Sequence, residues 1–166
     1  PGSRTTVDGS SVVTALLEGT AVYTRAASQR RYQNATTTRI DPLGETSRNQ
    51  TTVGRISYGI YYFGAQYVGD RVDDPAEIDS VYDDPPATTE QLLHGPGAGP
   101  EANLPVEVAS GDWESASRRR TTFGELFLRG TLATRLSEEA AADAAAGWGT
   151  DERLVFTRDG ETGYVW

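Results

Sequence analysis

A single histidine limits the chemistry this chain can do on its own. Among its 166 residues there is one His, His94, and no Cys. A thiolate nucleophile, a disulfide framework and a Cys-ligated or His-clustered metal site are therefore excluded within the chain. A Ser/His/Asp arrangement could form only around His94, and neither a G-x-S-x-G elbow nor a phosphate-cradling glycine loop accompanies it. Glu90 precedes His94 by four residues, so on a helix the two share a face and the carboxylate is placed to orient the imidazole. The same spacing also fits a helix-terminal His that meets the dipole. Glu18 is the other candidate. It lies mid-helix in Leu16-Leu17-Glu18-Gly19-Thr20-Ala21, with apolar neighbours. Gly19 in a helix interior costs roughly 1 kcal/mol relative to Ala, a cost that points to close approach of another backbone. An exposed Glu18 paired with Arg25 or with solvent fits the spacing equally well.

These side chains depend on the elements that carry them. Asp8, Ser10 and Ser11 are N-cap candidates, and Val12, Val13, Leu16, Leu17, Ala21 and Ala27 recur at helical spacing, so a long helix is expected from about Ser10 to Tyr32. Gln33 to Gln50 is polar, contains Asp41-Pro42 and Leu43-Gly44, and reads as a surface loop. Ile56 to Val68 is aromatic-rich, but Gly59, Gly64 and Ala65 favour a buried helix that lets a neighbour come close. Asp74-Pro75 opens a short helix to about Tyr82. Thr88 to His94 reads as one or two helical turns, and Leu104 to Val108 as a strand. Thr121 to Leu136 is expected to be helical with a Thr cap, followed by an Ala-rich helix capped at Ser137 and ended by Gly147. Apolar runs at Leu154–Phe156 and Tyr164–Trp166 flank Asp159-Gly160, a hairpin signal. The expected fold class is α+β, mostly helical, with a small C-terminal β-hairpin, in a single domain over 1–166.

Composition narrows the setting. The chain carries 24 acidic residues against 15 basic ones, all Arg, for a net charge of −9, and it has no Lys and no Met. Such a surface repels nucleic acid, so no nucleic-acid role is expected. No stretch approaches the ~20 apolar residues of a membrane span. Lys-free acidity fits a salt-adapted protein, because carboxylates hold water when salt screens charge; a GC-rich genome would favour Arg over Lys as well. Two sequons, Asn34-Ala35-Thr36 and Asn49-Gln50-Thr51, lie close together in Thr-rich text, which points to glycosylation at Asn34 and Asn49 and to an extracellular or cell-surface location.

Several segments, taken in order, resemble a known family. Leu17-Glu18-Gly19-Thr20-Ala21 looks like an L-x-E-G-[DE]-A helix, and Ile56-Ser57-Tyr58-Gly59 through Val68 like an aromatic helix. Pro85-Pro86-Ala87-Thr88-Thr89-Glu90-Gln91-Leu92-Leu93-His94 looks like a P-P-x-[ST]-T-E-Q-[IVL]-L-H signature. Gly124-Glu125-Leu126 looks like a later G-E motif, and Gly147-Trp148-Gly149-Thr150-Asp151-Glu152-Arg153 like an A-A-x-G-W-G-x-D-R block. Together they resemble the C-terminal part of an exported zinc-metallopeptidase-like family of gluzincin type, found in salt-loving archaea and some bacteria. The resemblance implies a zincin-like fold, a peptide substrate and an H-E-x-x-H helix upstream that supplies two His ligands and the water-activating Glu. It makes Glu18 the third zinc ligand and places Glu90 and His94 near the metal. The chain departs from the pattern in having no H-E-x-x-H, Thr20 at a usually acidic position, and Gly95-Pro96-Gly97 after His94. Zinc is accordingly expected only with a segment upstream of Pro1, and no cofactor otherwise. The Glu18 face is then expected to be covered by a missing piece or a partner chain. The alternative is a non-catalytic, N-glycosylated surface or filament component that reuses the fold and self-assembles through Tyr61, Tyr62 or Trp166.

Overall fold

The computed structural model describes residues 6–33, 40–98, 108–115, 121–146 and 150–166. Asn34, Gly147 and all of the expected strand over Leu104–Val108 except Val108 lie outside them, and Val108 is in no regular element. The molecule is mostly helical with a small antiparallel sheet at its C-terminal end, as the pattern of the sequence implies.

Helix α1 spans Val7–Gln33 and buries Val12, Ala15, Leu16, Gly19, Tyr23 and Ala26, a stripe at steps of three and four. It starts one turn earlier than expected because Thr6, rather than Asp8, Ser10 or Ser11, is the cap: its hydroxyl accepts the Gly9 N–H at 3.0 Å. Helix α2, Ile40–Arg48, takes up half of the expected Gln33–Gln50 loop. Pro42 falls in its first turn, where no amide donor is needed, so the dipeptide read as a breaker is compatible with a helix start.

Helix α3, Thr52–Gly69, is the central element. Thr51 caps it by accepting the Gly54 N–H, which extends it four residues beyond the expected start at Ile56. Gly19 and Gly64 mark its crossing with α1. A Cβ on Gly19 would lie 2.3 Å from the Gly64 carbonyl carbon, and one on Gly64 would lie 2.1 Å from the Ala15 carbonyl oxygen. The two backbones touch there, which is the close approach that Gly19 implies. Around the crossing, Val12, Leu16, Tyr23, Tyr67, Val68 and Val72 pack into one core with Val81 and Leu92.

A 3-10 helix at Pro75–Tyr82, capped by Asp74, and helix α4, Thr89–His94, capped by Thr88, follow as expected. Helix α5 is shorter than the expected Thr121–Leu136, covering Glu125–Leu132. Thr121 instead pairs with Arg153 in an isolated bridge, and its hydroxyl accepts the Val7 N–H at 3.0 Å, so it is not the cap. Helix α6, Glu138–Ala146, begins at Ser137, whose hydroxyl accepts the Ala140 N–H. Strands β2, Leu154–Arg158, and β3, Glu161–Val165, form the hairpin, with Asp159 and Gly160 both at positive φ in its turn. A two-residue strand β1, Glu114–Ser115, pairs with β2 to give the order β1-β2-β3.

Candidate functional site

Glu18 and His94 line two separate hollows, and Glu90 lines neither of them. Glu18 lines a hollow of about 300 Å³ with Ala21, Val22, Arg25, Tyr58 and Tyr61. The neighbouring Gly19 sits where the α1 backbone touches that of α3 at Gly64. The surface beside it is apolar: Leu17 is 60% exposed and Tyr58 is 40% exposed.

His94 lines a second hollow, of about 460 Å³, together with Arg48, Arg55, Tyr62 and Arg129. The structure therefore does not gather Glu18 and His94 into one pocket. It does explain how His94 is held. Its Nε2 lies 2.8 Å from Glu125 Oε1, and Glu125 is buried at the first turn of α5. The carboxylate that engages the imidazole in this pair comes from 31 residues away rather than from the preceding helical turn that carries Glu90. Glu125 Oε2 is buried and has no hydrogen-bond partner among the described residues.

Beneath this pair lies a network of buried polar groups. Asp8 Oδ1 accepts the Thr89 N–H at 3.0 Å and the Thr89 hydroxyl at 2.6 Å, and the Thr89 oxygen accepts the Leu126 N–H at 3.2 Å. Asp151 accepts the Phe123 and Gly124 N–H groups at 2.8 and 2.9 Å and the Trp166 indole N–H at 3.0 Å. Gly124 sits between the two carboxylates at φ 82°, and a Cβ there would lie 1.9 Å from Asp8 Oδ1. Burial pushes the Asp8 carboxyl above its ordinary value; the two Thr89 hydrogen bonds pull it down, and the charges of Asp151 and Glu125 add to the rise. The network joins the start of α1, the start of α4 and the start of α5, and so sets where Glu125 meets His94. Burial also raises the Tyr67 phenol, against the pull of Arg71, whose guanidinium lies 3.4 Å from the ring centroid.

Asp8 and Asp151 are the polar residues that spacing alone overlooks. Asp8 reads as a cap, and Asp151 stands in a block whose preceding residues give it no partner. Glu125 is visible only through its place after Gly124.

The donor set does not by itself fit a zinc ion. Among the described residues no three His, Asp or Glu side chains converge, and the hollow around Glu18 offers one carboxylate and the Arg25 guanidinium among aromatic and aliphatic walls. Asn49, the described member of the sequon pair, is exposed at the end of α2, with its Nδ2 donating to the Glu45 carbonyl at 3.1 Å. Among the described residues no helix is long and apolar enough to cross a membrane.

Residues 113–166 match a family described as a domain of unknown function, DUF8575. That match covers about a third of the chain and takes in α5, α6 and the sheet, with Glu125 and Asp151, while Glu18 and His94 lie outside it. No curated protein and no solved structure matches the chain.

Proposed function

We propose that the chain is the helical scaffold of an exported, salt-adapted metallopeptidase-like protein in which Glu18 furnishes one zinc ligand. The observation that carries this reading is the Glu18–Gly19 pair. Gly19 is packed backbone-to-backbone on Gly64, and the residue before it, Glu18, lines an open, largely apolar hollow. A metal-ligating carboxylate needs a rigid helix beneath it and a face left open for the other ligands. The remaining ligands come from residues that this sequence does not include. The test is hydrolysis of an unstructured peptide by the full-length gene product. Activity abolished both by a zinc chelator and by Glu18→Gln supports the reading. A full-length product that has no upstream H-E-x-x-H and cleaves nothing overturns it.

Asn49 favours a second reading, a non-catalytic extracellular glycoprotein. It is exposed, and it stands two residues before Thr51, so the sequon is presented at the surface between α2 and α3. A glycan on Asn49 in a product devoid of zinc would favour this reading over the first.

A further inference from the structure

The hollow beside His94 is basic in an acidic protein. Acidic side chains outnumber basic ones 24 to 15 over the chain, yet three guanidiniums line this one depression. Arg55 is engaged: it pairs with Glu138 and donates to the Arg48 carbonyl. Arg129 stacks over the Phe63 ring, with its guanidinium carbon 4.7 Å from the ring centroid, and Arg48 lines the same hollow beside Gly44 and Tyr62. Neither Arg48 nor Arg129 has a carboxylate partner among the described residues. Unpaired arginines are expected to find carboxylates in so acidic a surface; two that share one concave site without doing so leave it with a surplus of positive charge.

We propose that this hollow binds a small organic carboxylate whose apolar portion rests on the ring of Phe63 and the side chain of Leu126. Guanidinium forks match a planar carboxylate through paired N–H bonds, and a guanidinium already stacked on an aromatic ring is pre-organised for that contact. Arg55 is neutralised by Glu138, which leaves Arg48 and Arg129 to hold the carboxylate. The volume of about 460 Å³ lies within the range of small-ligand sites. His94, fixed by Glu125, forms part of the same wall. This site is independent of the Glu18 hollow and of any metal there.

The test is calorimetric titration of the 166-residue chain with N-acetyl-leucine, N-acetyl-leucinamide and inorganic phosphate at one fixed salt concentration. N-acetyl-leucine is expected to bind and the amide, which lacks the charge, to bind at least tenfold more weakly. Arg129→Gln and Arg48→Gln are each expected to weaken N-acetyl-leucine roughly tenfold or more, whereas Arg30→Gln, on an exposed turn at the end of α1, leaves it unchanged. Equal binding of acid and amide, no binding of the acid to the wild-type chain, or tighter binding of phosphate than of the acid each overturns the proposal. The wild-type comparison of acid with amide decides the matter even if an arginine variant fails to fold.

Discussion

The Thr89 hydroxyl donates to Asp8 Oδ1 over 2.6 Å, joining two residues 81 positions apart in a buried site. Through it the first turn of α1 holds the first turn of α4, and the Thr89 oxygen passes the contact on to the Leu126 amide. Thr89→Val keeps the shape but leaves the Leu126 N–H and part of the Asp8 carboxylate unpaired. An unmade buried hydrogen bond costs ~1–3 kcal/mol, so chemical denaturation is expected to show a loss in that range.

The same carboxyl sets a pH dependence. Asp8 is raised above its unfolded value of 3.8, chiefly by burial. The folded state therefore holds this proton more tightly than the unfolded state, and the resulting stabilisation is full below the unfolded value. It is lost as pH rises through the raised folded value. Asp8→Asn removes the titration and keeps an oxygen acceptor for Thr89. The stability of the wild type relative to Asp8→Asn is expected to fall as pH rises from about 4. A difference that grows with pH would contradict the assignment.

Gly124 separates Asp8 from Asp151 at a positive φ, and a side chain there would meet the Asp8 carboxylate. Gly124→Ala adds left-handed strain of ~1–3 kcal/mol to that clash. It is expected to lower stability by more than Gly160→Ala, which sits at φ 84° but faces open space. Thermal melts of the two variants make the comparison.

Gly19 and Gly64 let α1 and α3 touch. Gly19→Ala would place a carbon 2.3 Å from backbone that cannot rotate away, so overpacking of about 3 kcal/mol or more is expected in place of the gain Ala gives an ordinary helix. Stabilisation by Gly19→Ala would show that the two helices do not cross as described.

Much of the fold was legible because its signals were local. The α1 stripe, the glycines of α3, the helical turns over Thr88–His94 and the Asp159-Gly160 turn each act within a few residues. Helix α2 was hidden by its proline, and β1 by its two-residue length. The start of α5 was placed too early because Thr121, a good cap by type, is taken by the bridge to Arg153 and by the Val7 amide. At the site, spacing brought out Glu18 and His94 but not the partner of His94. Glu125 reaches the imidazole across 31 residues, Asp8 reaches Thr89 across 81, and Asp151 reaches Trp166, Gly124 and Phe123 across 15, 27 and 28, distances at which no periodicity operates.

Zinc stoichiometry tests the central claim most directly. The full-length gene product and its Glu18→Gln variant would be dialysed against trace metal and measured by plasma mass spectrometry. Glutamine keeps the size and the helix but removes the anionic ligand. About one zinc per wild-type chain is expected, with most of it lost in the variant and the melting temperature of the metal-stripped proteins unchanged. Zinc held equally by both proteins, or by neither, would contradict it.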